Sequence, residues 1–511
     1  MWLKSYLDFS GTHPAWAIVT DLIIDAAAPP DTCHSARMNA FLQSWDPPTR
    51  GRRAEMMNHD ISRMVKVAKK HNTNLAAIRL TPQLRAQLPA WYHIAAAPRS
   101  INNAASKCLL RNHAITKVTD LIKAAARIRN PNAFPNAPHQ DRRFCRCADC
   151  DADREKGCQI PYLCAMEAQT RLGQIAPRLN PMTPGNAHGN LSLSDSRKRR
   201  NQHAKERNEA IIFDPTITAK KDLAECFRIF TNPDRISDLP ANRLIPNRTN
   251  LRLQEVSIYT DGACLNNGKE NAQSGSGIWL GPGHESNKAL RNPGNAQSNQ
   301  VAKMIAVLTA IEMTPKNQPL KIITDSRYAI EGLTTHLRTW EDQGWINIKN
   351  APLFKRAAYL MRCRSAETAF QWIKGHNGDP GNEGSDELAQ NGALKERADE
   401  INLEIPREFD LQGAKLKTLT QALAYRGIKE RHPPRERQTT DQNLELAKHA
   451  LFEYSGVRET SETIWLGLQH PAIRIRIRQF LYKAIHGTQK IGDFWDHVPG
   501  FENRGPCKTC H

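Results

Sequence analysis

Apolar positions along the chain change rhythm twice. In residues 1–130 they recur at helical spacing. Trp16-Ala17-Ile18-Val19 through Asp25-Ala26-Ala27-Ala28 is one apolar run, stopped by Pro29-Pro30. Residues 53–70 set Met56, Ile61, Met64, Val65 and Val67 against a basic face, and 103–129 repeat the theme with Leu109, Leu110, Val118, Leu121 and Ile122. From 254 to 394 short β-branched runs alternate with helical segments. The pattern predicts strands at 254–260, 276–280, 287–291, 319–324 and 368–373, and helices at 299–313, 326–337 and 384–394. Three strands on tight turns, then helix and strand in alternation, imply an α/β mixed five-stranded sheet with helices on its faces. Helical spacing returns at 416–425, 442–454 and 472–485. There Ile473-Arg474-Ile475-Arg476-Ile477-Arg478 alternates like a strand, but Gln479-Phe480-Leu481-Tyr482-Lys483 argues for a basic helix.

Polar stretches separate these regions. Residues 130–142 read as a Pro-rich linker. Residues 175–210 are turn-rich (Pro181, Pro184-Gly185-Asn186, His188-Gly189-Asn190) and close on Arg197-Lys198-Arg199-Arg200 and Lys205-Glu206-Arg207. A run like this is expected to be flexible and solvated, and is also a candidate nuclear import signal or phosphate-contacting arm. Residues 211–250 read as a connector with Leu223–Phe230 as a helical turn set. The expected division is 1–130 helical, 143–170 Cys-rich, 175–250 linker, 251–395 α/β and 396–511 helical.

Charge sharpens the choice of partner. The net charge is +19 and the pI about 9.5, which suits a polyanion, nucleic acid before membrane. No apolar run approaches the roughly 18 residues of a membrane span. Met1-Trp2-Leu3-Lys4 lacks the basic start and apolar core of a signal peptide, so the reading is intracellular, with no membrane partner. The twelve Cys are then expected as thiols or metal ligands rather than disulfides. Cys145, Cys147, Cys150, Cys158 and Cys164 cluster at spacings that supply a structural Zn²⁺ with four ligands and leave one Cys spare; the alternative is buried thiols. Cys507-Lys508-Thr509-Cys510 offers another half-site.

The chemistry concentrates in four strings: Tyr-Thr-Asp-Gly-Ala (259–263), Ser-Asn-Gln-Val-Ala-Lys (298–303), Thr-Asp-Ser-Arg-Tyr (324–328) and Lys-Gly-His-Asn-Gly…Gly-Asn-Glu-Gly-Ser-Asp (374–386). Asp261 and Asp325 each end a predicted strand, and Asp386 opens a helical pattern. Three Asp from separate elements can meet at one site for a hard cation such as Mg²⁺. Singly, each reads equally as a cap or turn former.

Together these strings resemble the type 1 ribonuclease H domain over its whole length, in its eukaryotic form, with Gly-Pro-Gly-His at 281–284. His376 lies ten residues before Asp386 and position 303 twenty-two before Asp325, as in that family. The resemblance implies an RNA–DNA hybrid endonuclease using two Mg²⁺ or Mn²⁺. Asp261, Asp325 and Asp386 would be catalytic metal ligands and His376 would handle protons. Asn267, Asn299 and Gln300 would read the hybrid's minor groove, Ser298 would contact a phosphate, and Trp340 the DNA strand. Trp340 and Trp345 read equally as core.

One position departs from the family. Lys303 stands where the family places a metal-ligand Glu. A protonated Lys cannot be a ligand, and the exchange moves the site's charge by two units. Three outcomes are expected: the ammonium pairs with the Asp cluster in place of metal, swings out to leave a weak three-Asp site, or loses its proton. The alternative functions are an inactive nucleic-acid-binding module and a decayed mobile-element remnant. Residues 1–130 resemble the segment between reverse transcriptase and ribonuclease H in fungal non-LTR retrotransposon-like proteins, though no Tyr-x-Asp-Asp polymerase string occurs. The start at Met1 fits a downstream part of such a frame, and the tail resembles proteins that continue further.

Overall fold

A computed structural model describes residues 1–10, 14–97, 101–129, 139–183, 193–207, 209–242, 253–269, 271–433 and 437–506. Most of the 130–142 linker, the turn strings at 184–190 and the Cys507–Cys510 motif lie outside the described residues. The chain divides into two compact units, Met1–Gly427 and Ile428–His511.

In the first unit, side-chain caps break two of the long apolar patterns into separate helices. The apolar run after Pro14 is α1 (Ala15–Ala26). The 53–70 pattern is interrupted at Met57, and α2 (His59–Lys70) starts afresh because Asn58 accepts a 2.8 Å hydrogen bond from the Ile61 amide. Likewise 103–129 splits into α3 (Ala104–Arg111), capped by Asn103, and α4 (Val118–Arg129). The Asp120 carboxylate closes that gap by accepting from the amides of Thr116 and Lys117. Two helices follow, α5 (Ala148–Glu155) and α6 (Pro161–Gly173). A small antiparallel sheet joins this lobe, in the order β1 (Asn74–Leu75), β3 (Phe227–Ile229), β9 (Ala414–Lys415). Leu75, Leu80, Trp91, Leu121 and Phe227 are fully buried in the shared core. Leu223–Phe230 is therefore not a helical set: a 3₁₀ turn at Leu223–Cys226 runs into a central strand buried at every position.

The expected flexible segment at 175–210 contains a helix, α7 (Asp195–Arg207), and the basic run lies on it. After it, β2 (Ile211–Ile212) joins the main sheet. Asn201 holds the two together like an extra strand: its amide donates to Ile212 O (2.6 Å) and accepts from Ile212 N (2.9 Å).

The main sheet has the five expected strands, β4 (Val256–Leu265), β5 (Gln273–Trp279), β6 (Lys288–Arg291), β7 (Leu320–Thr324) and β8 (Thr368–Trp372), with β2 as a sixth at one edge. Its order is β2–β8–β7–β4–β5–β6. β4, β7 and β8 are parallel and the outer pairings antiparallel. Helix α8 (Asn299–Met313) packs with Met304, Ile305 and Leu308 buried against Ile258, Ile322 and Phe370. The next helical run, α9 (Arg327–Glu331), continues past the expected end through a π turn (Gly332–His336) into α10 (Leu337–Asp342). Helix α11 (Ala351–Cys363) has no counterpart in the predicted pattern, although Pro352 at its start and Leu353, Phe354, Ala357, Ala358 and Met361 along it form an apolar face. Helix α12 (Pro380–Leu394) closes the fold over β4, β5 and β6.

The second unit is helical, as expected: α13 (Gln438–Ser455), α14 (Ser461–Leu468) and α15 (Ile475–Ile485), the last taking in the alternating Ile-Arg stretch from Ile475 onward, with Ile473 and Arg474 before its start. Trp465 stacks on His486 and meets Tyr482, which joins α14 to α15. Among the described residues no helix is long and apolar enough to cross a membrane.

Candidate active site

The sheet brings two distant carboxylates to one place because β4 and β7 run parallel, with Tyr259 opposite Ile323. Asp261 lies mid-strand in β4, two residues beyond its last pairing with β7, and Asp325 directly follows the end of β7. Helix α8 then delivers position 303. It can approach β4 this closely only because residue 262 is glycine: a Cβ there would lie 2.4 Å from the Lys303 amide nitrogen. Gly277 does the same for α12. It pairs with Asp261 across β4 and β5, and a Cβ on it would lie 1.9 Å from Ser385 O, so Asp386, the next residue, is carried to the same end of the sheet.

At the centre, Lys303 Nζ bridges the two strand carboxylates. It lies 2.6 Å from Asp261 Oδ1 and 2.5 Å from Asp325 Oδ1. Asp261 is almost fully enclosed, and its Oδ1 also accepts from the Gly262 amide at 2.7 Å. Asp325 is held through its backbone, whose carbonyl accepts from Trp372 Nε1 (3.0 Å), and Arg327 covers the Trp372 ring. Asp386 stands apart from the ammonium and accepts from Gln390 Nε2 at 3.1 Å. His376 is exposed on a loop with φ +53°, and Gly375 before it lies against the Asp325 carboxylate.

The electrostatics favour a charged bridge. Burial alone would lower the Lys303 pKa, but attraction to Asp261 and Asp325 outweighs it and raises the value above that of a free lysine. Burial pushes the Asp261 carboxyl up, the ammonium pulls it down, and Asp325 pushes it up again, leaving it raised. These directions pull against each other for one pair. We take the pair as ionised, because two carboxylates at charge-assisted hydrogen-bond distance hold the proton on nitrogen. Lys303 thus points inward and pairs with Asp261 and Asp325 rather than swinging out.

The groove residues take exposed positions. Asn267 is in the turn after β4, and Asn299 and Gln300 occupy the first turn of α8. Ser298 caps that helix, accepting from the Val301 amide at 3.3 Å. Trp340 is half-buried, edge-on to Phe354 and tilted against Trp345.

Comparison with known proteins places this constellation. The RNase H family profile matches residues 253–394. Ribonuclease H of Zymomonas mobilis is 35% identical over 148 residues, covering 27% of this chain and 88% of that protein. Ribonuclease HI of Pseudomonas aeruginosa is 34% identical over 147 residues, covering 28% and 95%. The chain belongs to the ribonuclease H family. Human ribonuclease H1 is 36% identical over 143 residues, and the ribonuclease H chain described here spans about half of that protein's length. The two divalent ions that the family implies do not fit the residues present, since the Lys303 ammonium fills the gap between Asp261 and Asp325, two of the three carboxylates that would hold them.

The five clustered cysteines do not form one centre. Cys145, Cys147 and Cys150 gather round His139, while Cys158 and Cys164 face Cys108 and His113. The turn at Gly157 between α5 and α6 (φ +90°) separates the two sets. The single four-Cys centre expected from spacing is corrected accordingly, because each set completes itself with a histidine. Sequence reading passed over Cys108, His113 and His139. The available signals were His139 six residues before Cys145, and Cys108 and His113 five residues apart where a helix ends.

Proposed function

We propose that this ribonuclease H fold binds an RNA–DNA hybrid and that Lys303 suppresses its hydrolysis. The carrying observation is Lys303 Nζ bonded to both Asp261 and Asp325. A hydrolase of this family needs a concentration of negative charge here. An ammonium among three Asp cuts the net charge from −4, as with a Glu, to −2, and adds direct repulsion of any cation. The groove side supports binding: exposed amides on Asn267, Asn299 and Gln300 suit the 2′-hydroxyls and base edges of a wide minor groove, and Ser298 suits a phosphate. A chain of charge +19 supplies affinity without sequence preference. The helical segments around the domain support a mobile-element setting, with nuclear import through the basic face of α7.

Binding of the full chain to an RNA–DNA hybrid and to duplex DNA, at several salt concentrations, tests the partner. The hybrid should bind more tightly throughout, and Asn299→Ala with Gln300→Ala should narrow the difference. Equal affinity for both duplexes would reject the hybrid reading.

A further inference from the structure

The segment from His139 to Glu155 has almost nothing apolar to fold around. Its large hydrophobic side chain, Phe144, is largely exposed. Yet Cys145, Cys147 and Cys150 are buried, and they form a cluster of their own, separate from the apolar cores. Burying three thiols without an apolar surround, in a segment of Asp and Arg, needs another source of cohesion; short segments without a core use a metal.

We propose that this chain holds two structural zinc ions, one between His139, Cys145, Cys147 and Cys150 and the other between Cys108, His113, Cys158 and Cys164. The geometry is that of empty tetrahedra. Ideal Zn–S and Zn–N lengths put two sulfurs about 3.8 Å apart and a nitrogen about 3.6 Å from a sulfur. His139 Nδ1 lies 3.6, 3.6 and 3.4 Å from the sulfurs of Cys145, Cys147 and Cys150. Cys158 and Cys164 are 3.6 Å apart, and within each set the ligand atoms lie within 4.8 Å of one another.

The ring nitrogens supply an independent sign. His113 Nε2 is buried and has no hydrogen-bond partner, although its ring is almost wholly enclosed. Its other nitrogen, Nδ1, lies 3.4 Å from Asp153 Oδ1. His139 mirrors this, with Nδ1 to the sulfurs and Nε2 3.5 Å from Asp141 Oδ1. That Nε2 is buried and makes no hydrogen bond, so in each histidine one nitrogen faces the sulfurs and the other has a carboxylate 3.4 or 3.5 Å away, the arrangement of a metal-ligating imidazole. Sulfurs are supported as well: the Gln140 amide donates to Cys145 (3.3 Å) and Asn112 Nδ2 to Cys108 (3.2 Å).

Three thiolates and a neutral imidazole around Zn²⁺ carry a net charge of −1, the thiols having released their protons. Arg127 answers both sites. Its Nη1 donates to Cys150 at 3.8 Å and its Nη2 lies 2.5 Å from Asp153 Oδ2. The two centres are thus nested in sequence, the His139 set inside the other, and joined through Arg127 and Asp153.

The test is elemental analysis of the full chain purified without chelator, together with its Co²⁺-substituted form. Two zinc per chain are expected, with a tetrahedral thiolate spectrum for cobalt. Cys150→Ser and Cys164→Ser should each leave one, and the pair together none. His113→Cys, which keeps a ligand, should retain two, so loss through misfolding is distinguished from loss of a ligand. One zinc in the unaltered chain, no zinc with all eight ligands intact, or a disulfide between Cys158 and Cys164 would each overturn the proposal.

Discussion

Replacing Lys303 by glutamate should make the fold depend on a divalent cation. In the native chain the ammonium holds two carboxylates, one of them almost fully buried, through bonds of 2.6 and 2.5 Å. Removing one partner of a buried charge pair costs about 3–5 kcal/mol. Lys303→Glu goes further, since it adds a like charge, and two unit charges about 4 Å apart repel by about 4 kcal/mol at an effective dielectric near 20. In chelator the variant should therefore unfold on the order of 10 °C below the native chain. Mg²⁺ should reverse this, because an ion bound only by the folded state adds about 2.7 kcal/mol at a hundred times its Kd. Differential scanning fluorimetry with Mg²⁺ titrated into both proteins reads the effect. The native transition should be indifferent to Mg²⁺ and the variant's should climb. A native transition that rises with Mg²⁺ as steeply as the variant's, or a folded variant as stable in chelator as the native chain, would refute the reasoning.

Other consequences are as concrete. The Lys303 pKa is raised on folding, so its stabilisation is complete below about pH 10.4 and disappears as pH rises through the folded value; the Tm gap between the native chain and Lys303→Met should be flat between about pH 6 and 9 and close at higher pH. Gly277→Ala should destabilise strongly, because its methyl would collide with the Ser385 carbonyl, and the domain should lose thermal stability even though alanine suits a strand better than glycine. Asp153→Asn should weaken the metal site of His113 by about 10–100-fold while leaving that of His139 occupied, as read by chelator competition. Glu341 is buried and takes two bonds from Arg362, at 2.6 and 2.9 Å, so Glu341→Ala should cost about 3–5 kcal/mol in chemical denaturation.

What could be read in advance was what repeats along the chain. The strands before Asp261 and Asp325 and helix α8 were legible because each apolar run is bounded by turn residues or, at Ser298, by a cap, although β4 continues past Asp261 to Leu265. That Lys303 would meet the carboxylates was legible only through the resemblance, which puts a metal-ligand Glu at position 303; the close approach at Gly262 that seats it was not. Contacts that close only in three dimensions were not. Strand β2 is two residues long and exists through Asn201, and β3 owes its strand form to neighbours from residues 74–75 and 414–415. Spacing grouped five cysteines by proximity in sequence, whereas the turn at Gly157 sends them to different histidines. Trp340 carries no sequence mark that distinguishes a DNA contact from a core ring, and its packing on Phe354 closes only in the fold.

The most direct measurement is RNA-strand cleavage in an RNA–DNA hybrid with Mg²⁺ and with Mn²⁺, comparing the native chain, Lys303→Glu, and Lys303→Glu with Asp261→Asn. The native chain should show little or no cleavage, Lys303→Glu should cleave, and the double variant should be silent again. Robust Mg²⁺-dependent cleavage by the native chain, lost on Asp261→Asn alone, would contradict the account.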